Sequence, residues 1–172
     1  MGSSGARTLC LMRHGKSSWA DESLTDIERP LNERGRTQVP EIALRLKAAG
    51  IRPSLIMASS AKRTWSTAKL AADVLGYPHE FLHRERDLYL ADVATLREHV
   101  VAQDARFRCL LLCGHNPGLT EFVAELAPGL TDNVPTSAVA CFTAHAQDWP
   151  SFFEADVSLA RYETPKLAWP AS

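Results

Sequence analysis

Three apolar runs, each of which stops abruptly at polar or charged residues, constrain the fold of this chain more than any other feature. A helical pattern of apolar residues follows the second and third runs. Strands that alternate with helices form a mostly parallel sheet, and the carboxyl ends of its strands meet at one edge, where ligands bind. The runs are 8–12 before Arg13-His14-Gly15, 55–58 before Ser59-Ser60 and Arg63, and 109–113 before Gly114-His115.

The remaining patterns extend this arrangement to a three-layer α/β/α sandwich with a mostly parallel central sheet. Near the carboxyl terminus they predict a hairpin, joined by a turn at 147–150, that adds an antiparallel edge strand. The predicted strands are 7–13, 55–58, 80–82, 108–113, 138–143 and 153–159. The predicted helices are 32–49, 62–75, 93–103 and 119–126.

The first predicted helix has recognisable signals at both ends. Asn32 is suited to cap its start and Gly50 to stop it, whereas Pro40 inside it is expected to kink or break it. Its expected core face consists of Val39, Ile42, Leu44 and Leu46.

Size and charge exclude several classes of protein. The chain has 172 residues, 45% of them hydrophobic and 23% charged, which is typical of one globular domain. We expect that domain at 7–163, after a disordered start or cloning remnant at 1–6 and before a surface tail at 164–172. A net charge of −1 argues against nucleic-acid binding and a polybasic membrane surface. No apolar segment approaches the roughly 20 residues that span a bilayer.

The cysteine pattern favours a reducing environment. Each cysteine lies within an apolar, strand-like run, so we expect buried, reduced side chains and a cytoplasmic location. The paired Cys-x-x-Cys spacing of common metal sites is absent, and we predict no metal ion. The four cysteines are Cys10, Cys109, Cys113 and Cys141.

Arg13-His14-Gly15 has the residue types that phosphate chemistry requires. Arginine offers a planar fork of donors to phosphate, and neutral histidine can form a covalent intermediate. Gly15 would let the backbone approach a bound group. A histidine at a strand end can equally be a hydrogen-bonded structural residue, and Arg63 can be a surface residue at a helix start. The tripeptide alone does not choose between these alternatives.

Taken together, the motifs resemble the histidine phosphatase superfamily, in the branch that contains the cofactor-dependent phosphoglycerate mutases. Within it the chain is most similar to the SixA-type phosphohistidine phosphatases, and the likeness runs from about Leu9 to about Thr143. The resemblance implies a phosphoglycerate mutase-like fold. The motifs that carry it are Arg13-His14-Gly15 with Lys16-Ser17-Ser18-Trp19, Arg29-Pro30-Leu31 with Gly35, Ser59-Ser60 with Arg63-Thr64 and Thr67-Ala68, Leu88-Tyr89, and Gly114 to Gly118.

By this resemblance, four residues form the phosphate pocket. His14 would be the nucleophile, its second ring nitrogen donating to a backbone carbonyl, and phospho-His14 would then be hydrolysed by water. Arg13 and Arg63 would hold the phosphate, and His115 would be a protonated donor to it, because a nearby dianion raises an imidazole pKa. These three cations would supply the positive charge, so we expect no cofactor.

Other candidate residues have alternative explanations. Arg29, Lys16 and Ser17 are candidate substrate contacts, although Arg29 could equally form a surface salt bridge. Asp87, and secondarily Glu85, are candidate proton donors to the leaving group, against the alternative of a solvated charge cluster over 84–87. Neither carboxylate matches the mutase motif clearly.

These features favour phosphohistidine on a protein as the substrate. Imidazole can leave with its own proton, so a phosphoramidate needs a dedicated acid less than an alkyl ester does. A short chain without an inserted cap leaves the pocket open to a protein side chain. Ala20 replaces the asparagine of the mutases, which counts against mutase activity. The alternatives are a phosphatase for a small sugar or metabolite phosphate and a phosphate-binding module without turnover.

Overall fold

A computed structural model describes residues 5–168. Within that range the strands are β1 Ala6–Arg13, β2 Leu55–Ser59, β3 His83–Glu85, β4 Cys109–Gly114, β5 Val139–His145 and β6 Ser158–Glu163. The α-helices are α1 Glu33–Ala48, α2 Lys62–Leu75, α3 Val93–Val101, α4 Gly118–Leu126 and α5 Trp149–Phe152. Short 3-10 helices lie at Asp26–Glu28, His79–Phe81 and Arg86–Leu88.

The strands form a single sheet in the order β3-β2-β4-β1-β5-β6. β3, β2, β4 and β1 are mutually parallel, whereas β5 is antiparallel to both of its neighbours. The predicted α/β sandwich with a mostly parallel sheet is therefore confirmed. The central strands are buried on both faces, as a sheet covered by helices on each side requires.

Two apolar cores cover the two faces of the sheet. On one face α1 and α2 pack on alternate strand residues such as Met12 and Ile56. On the other face α3, α4 and α5 pack on the intervening residues, such as Leu11 and Met57. This alternation follows from the two-residue period of a strand, which sends neighbouring side chains to opposite faces.

Helix α1 shows how local signals and packing combine. The side chain of Asn32 accepts a hydrogen bond from Gly35 N at 2.9 Å, so the predicted cap is confirmed. The helix continues through Pro40 without the break that a proline can cause. Val39 and Ile42 are buried as expected, but Leu44 is 48% exposed, because it lies off the stripe that faces the sheet.

Three predicted elements near loops were wrong or displaced. Residues 79–81 form a 3-10 helix, and the short strand predicted at 80–82 lies three residues later, at His83–Glu85. The expected turn at 147–150 contains the start of α5, which Asp148 caps by accepting from Ser151 N at 2.9 Å. The strand predicted at 153–159 is β6, Ser158–Glu163, since Trp149 and Phe152 fill the core as a helix instead.

The chain ends also differ from expectation. β1 begins at Ala6, within the segment expected to be disordered, and residues 1–4 lie outside the described range. Thr164 is buried rather than on the surface, and its carbonyl accepts from Arg45 Nη1 at 2.9 Å. Residues 165–168 are partly or fully exposed, and 169–172 are outside the described range. Across 5–168, no helix is both long and apolar enough to cross a membrane.

The cysteines are unpaired. Cys10, Cys113 and Cys141 are buried as predicted, whereas Cys109, near the start of β4, is only partly buried. Among the described residues, no group of three or more histidine, cysteine, aspartate or glutamate side chains is arranged to hold a metal ion.

Candidate active site

The ends of the parallel strands bring the sequence motifs together. Arg13 of β1 pairs in register with Gly114 of β4, so the residues that follow them, His14 and His115, lie side by side. Their ring centroids are 5.2 Å apart. α2 starts beyond the end of β2 and carries Arg63 in its first turn, as predicted. All four predicted pocket side chains therefore line one cavity of about 320 Å³.

His14 is held in one orientation by contacts at both ring nitrogens. Its Nδ1 lies 2.7 Å from the carbonyl oxygen of Gly15, and Arg63 Nε donates to its Nε2 at 3.4 Å. Nδ1 must then carry the proton, because a carbonyl only accepts, and Nε2 is left with the lone pair that accepts from Arg63. Burial, opposed by the Gly15 contact and assisted by Arg63, lowers the pKa of His14 to about 4. The ring is therefore neutral at pH 7.

His115 is enclosed by hydroxyl groups. Its Nε2 lies 2.7 Å from Ser59 Oγ and 3.2 Å from Thr64 Oγ1, and its Nδ1 is 3.4 Å from Arg63 Nη2. Burial, followed by the neighbouring His14 and Arg63, lowers the pKa of His115 to about 3. In the unliganded site it is neutral, so the protonated state expected from the sequence requires an anion beside it to raise that pKa.

Arg13 is a partly buried arginine whose guanidinium has few hydrogen-bond partners. Its Nη1 donates to the carbonyl oxygen of Val134 at 3.0 Å. Its Nε is buried and has no hydrogen-bond partner among the described residues. Buried donors are nearly always paired, so an unpaired guanidinium nitrogen beside a cavity indicates a place for an acceptor from a ligand.

The carboxylate of Asp26, a residue that the sequence analysis did not single out, bridges Arg63 and Arg29 next to the pocket. Its carboxylate accepts from Arg63 Nη2 and from Arg29 Nη2, each at 3.0 Å, and its carbonyl accepts from Arg63 Nη1 at 2.7 Å. The Tyr89 hydroxyl also donates to it. That hydroxyl, followed by the two guanidiniums, holds the pKa of Asp26 well below its usual range. Asp26 is therefore ionised at neutral pH.

The residues missed by sequence reasoning differ in how visible they were. Ser59, Thr64 and Tyr89 stand inside motifs that carried the family resemblance, so their positions, although not their contacts, were available. Asp26 lies in the polar loop between β1 and α1, where one carboxylate among several has no distinguishing pattern.

The three candidate substrate contacts line the cavity. Arg29 does both things that the sequence left open: it faces the cavity, and it is ion-paired with Asp26. Its Nη1 donates to Ser17 Oγ at 2.6 Å, and its guanidinium lies 3.6 Å from the ring centroid of the exposed Trp19. Lys16 is exposed at the mouth. Arg29 and Ser17 are thus preorganised by each other, whereas the Lys16 side chain is exposed.

The predicted proton donors do not reach the site. Asp87 is exposed and lies 3.8 Å from His99 Nε2, and neither it nor Glu85 lines the cavity. The 3-10 helix Arg86–Leu88 turns Leu88 into the core, which directs Asp87 to solvent. The alternative of a solvated charge cluster describes Asp87 correctly.

Gly15 has a packing role, which the sequence analysis did not anticipate. A Cβ added there would lie 2.8 Å from Val39 Cγ2 and 3.2 Å from Gly35 Cα. Its nitrogen donates to Thr67 Oγ1 at 2.9 Å. The glycine therefore lets the loop after β1 pass close to α1, and this contact fixes the position of His14.

Comparison with known proteins places the chain in a family. The model of the histidine phosphatase superfamily (branch 1) matches residues 9–111. An uncharacterised chloroplastic protein of Arabidopsis thaliana is 31% identical over 156 residues, which cover 86% of this chain and 71% of that protein.

Solved structures share the fold. A protein from Nakamurella multipartitia, assigned as the phosphohistidine phosphatase SixA, has a TM-score of 0.79 at 22% identity and covers 96% of this chain and 99% of its own. The protein histidine phosphatase SixA complexed with tungstate gives 0.76 at 24%, covering 92% and 97%. A mycobacterial glucosyl-3-phosphoglycerate phosphatase gives 0.65 at 18%, covering 91% and 98%.

Proposed function

The chain belongs to the histidine phosphatase superfamily and is a phosphatase enzyme, and from this premise we propose that it removes phosphate from phosphohistidine on a protein. In this proposal His14 is the nucleophile, and Arg13, Arg63 and His115 bind the phosphoryl group. Arg29, Lys16 and Ser17 contact the substrate at the mouth of the pocket. No metal or other cofactor takes part, and the enzyme acts in a reducing, cytoplasmic environment.

The reaction has two displacements at phosphorus. The lone pair on His14 Nε2 attacks the phosphorus, while the bond from phosphorus to the substrate imidazole breaks and its electron pair stays on that imidazole. Water then attacks phospho-His14, loses a proton to solvent or to phosphate, and releases inorganic phosphate with His14 restored. The contact between His14 Nδ1 and the Gly15 carbonyl supports this role, because it leaves Nε2 unprotonated.

The charges around His14 fit a transferring phosphoryl group. Such a group carries negative charge on three equatorial oxygens, and catalysis depends on positioning and on opposing that charge. Arg13 and Arg63 both line the cavity, and Arg13 Nε has no partner among the described residues, so both guanidiniums are available to oppose that charge. When a dianion binds, its charge raises the pKa of His115, which then adds a third cationic donor.

The lining of the cavity is the observation that carries the choice of leaving group. No carboxylate is among the described residues that line the cavity, and Asp26, next to it, is held ionised by Tyr89 and two arginines. An alkoxide leaving group needs an acid that holds its proton at working pH. Imidazole does not, because it can carry a proton of its own. A phosphoramidate therefore suits this site better than an ester.

A small phosphate ester is the second candidate. The likeness to the fold of a glucosyl-3-phosphoglycerate phosphatase favours it, and so does a cavity of about 320 Å³, which is large enough for a small metabolite. In that case the leaving group would have to take its proton from water or from His115.

Kinetics on matched substrates test the proposal. We expect kcat/KM on a histidine-phosphorylated protein to exceed that on every member of a panel of sugar and metabolite phosphates. Rapid turnover of one metabolite with no action on phosphohistidine would reverse the ranking.

Trapping separates the enzyme from a phosphate-binding module. Acid-labile 32P should be retained by the wild-type protein after rapid quenching and absent from His14→Ala. Binding of phosphate without any labelled intermediate or turnover would leave only the binding module.

A further inference from the structure

A second and larger cavity lies beside the phosphate pocket and has no part in the proposed chemistry. This groove, of about 1000 Å³, is lined by the cations Lys62, Lys69, Arg84 and Arg86 and by one carboxylate, Glu28. The whole chain has a net charge of −1, so this concentration of positive charge is local. Within residues 5–168 none of the four cations forms an ion pair with a carboxylate.

The groove also has an apolar floor. Trp65 of α2 lies under Arg84, whose guanidinium is 5.1 Å from the indole ring centroid, and Arg84 Nη2 donates to the Ser60 carbonyl at 3.0 Å. Leu24 and Ile27 supply further apolar surface. Arg84 is thus held in place before any partner arrives, and a ligand with both acidic and apolar groups would match the lining.

The groove and the phosphate pocket are joined by shared elements. Lys62, which lines the groove, directly precedes Arg63, which lines the pocket. Asp26 is bonded to Arg63, while the two residues after it, Ile27 and Glu28, line the groove. A polypeptide with its phosphorylated side chain at His14 would therefore have neighbouring residues at the groove.

We propose that this groove binds an acidic segment of the phosphorylated protein, next to its phosphohistidine. The inference rests on the proposed function, and it adds a substrate preference: carboxylates flanking the phosphohistidine raise the rate. Four cations opposite one carboxylate select an acidic partner over a basic one, because like charges facing each other across an interface are unfavourable. The open shape of the groove suits an extended segment.

Charge reversal in the groove tests this directly. The test variant is Lys62→Glu, Lys69→Glu, Arg86→Glu, whose side chains are all at least partly exposed. A glutamate near the start of α2 interacts favourably with the helix dipole, and lysine and glutamate have similar helix propensities. The variant should therefore retain the fold. The matched control, Lys47→Glu, Arg52→Glu, Arg106→Glu, makes the same change in charge at exposed positions outside the groove and pocket.

Three substrates separate docking from chemistry: phosphoramidate, a phosphohistidine peptide flanked by glutamates, and the same peptide flanked by glutamines. The wild-type enzyme should prefer the glutamate peptide, and the reversed variant should lose about tenfold or more in kcat/KM on it, mainly through KM. Its rate on phosphoramidate should be unchanged, and the control variant should behave as wild type. Added salt should weaken the wild-type preference.

The outcomes distinguish the two proposals. Equal kcat/KM on both peptides, or an equal loss in the reversed and control variants, would overturn the groove assignment and leave the phosphohistidine phosphatase intact. Turnover of phosphate esters with neither peptide hydrolysed would overturn the proposed function and the docking inference together.

Discussion

β1 has an arginine near each end, Arg7 fully buried and Arg13 partly buried, and their hydrogen bonds differ. Arg7, at the amino edge, is 1% exposed and donates to three carbonyl oxygens, those of Ala146, Phe107 and Gln147, at 2.6–3.2 Å. Arg13, at the carboxyl edge, makes one such bond and keeps a buried Nε without a partner in the described structure. All three nitrogens of the Arg7 guanidinium donate hydrogen bonds within the fold, whereas Arg13 still has a donor, Nε, for an acceptor beside the cavity.

The contrast extends to the surroundings of the two arginines. Arg7 donates to backbone carbonyls and lies 5.3 Å from the ring centroid of Trp149. Burial lowers the pKa of Arg7; of its charged neighbours, Arg108 lowers that pKa and Asp148 raises it, so an anion partly offsets the second cation. Around Arg13 are a second arginine and two neutral histidines, whose pKa values are lowered mainly by burial. Unpaired donors and neighbouring positive charges lower the stability of the fold unless an anion is bound. Their presence around Arg13 therefore indicates that this end of β1 serves function and does not serve stability.

Removing Arg63 should give the largest loss of activity, and it would show most clearly that the carboxyl edge of the sheet serves catalysis. Arg63 contacts His14, His115 and Asp26, so its loss affects both the nucleophile and the phosphate contacts. We expect Arg63→Ala to lower kcat/KM by about 10³-fold or more, since removing one oxyanion donor typically costs about 10²–10³. Thermal unfolding should also shift to a lower temperature, because the carbonyl and carboxylate of Asp26 lose their Arg63 donors, while the folded protein below that temperature stays nearly inactive. Activity within a few-fold of wild type would remove Arg63 from the site.

Replacing each β1 arginine with methionine in turn tests whether Arg7 serves stability and Arg13 serves activity. Arg7→Met orphans the carbonyls of Ala146 and Gln147, and we expect about 3 kcal/mol of lost stability, which lowers Tm by roughly 10 °C in a chain of this size. Its kcat/KM below that temperature should match wild type. Arg13→Met should do the reverse, losing about 10²-fold or more in kcat/KM with less than about 1 kcal/mol lost from stability.

Calorimetry measures the stability of the Arg7→Met and Arg13→Met variants, and kinetics on the same two preparations measures their activity. If both variants lost stability equally and kept equal activity, the two ends of β1 would be functionally equivalent and the distinction drawn from their hydrogen bonds would be wrong.

The sequence predicted the fold because its signals are local. Apolar runs and helical spacing are written in neighbouring residues, and parallel pairing then forces strand ends such as Arg13 and Gly114 together. The same patterns place Arg13 at the carboxyl edge, within the motif that indicates phosphate binding, but they do not reveal which bonds Arg7 or Arg13 forms within the fold. Their difference arises from distant partners, Phe107 and Ala146 for one and Val134 for the other.

The errors at the site have the same origin. Asp87 was preferred as a proton donor because it precedes Leu88-Tyr89, but which way a carboxylate points from a one-turn helix depends on Leu88 entering the core. Asp26 was overlooked because it reaches Arg63 across 37 positions of sequence, from a loop with no periodic pattern. Side-chain direction in loops is set by tertiary contacts that a single sequence does not display.

The smallest expected effect is the loss of stability on replacing Asp26, whose carboxylate partly neutralises the positive charge at the carboxyl edge of the sheet. Because its folded pKa is depressed below its unfolded value, it stabilises the protein above about pH 4 and loses that contribution as the pH falls toward the folded pKa. Its side chain is 45% exposed, which limits the contribution through solvent screening. We expect Asp26→Asn to cost about 1 kcal/mol at pH 7, with a smaller difference at pH 3.

Tyr89→Phe is the matched variant, because the Tyr89 hydroxyl is the largest cause of the lowered Asp26 pKa. Removing it should raise that pKa toward the usual value while both arginine contacts remain, so part of the pH-dependent stability is lost and the ion pairs are kept. Urea unfolding of the three proteins between pH 3 and 7 measures this. The wild-type advantage over Asp26→Asn should shrink with falling pH, with Tyr89→Phe between them. If wild type and Asp26→Asn were equally stable at every pH, the carboxylate charge would be unimportant, and Asp26 would act only through the backbone carbonyl that it offers to Arg63 in both proteins.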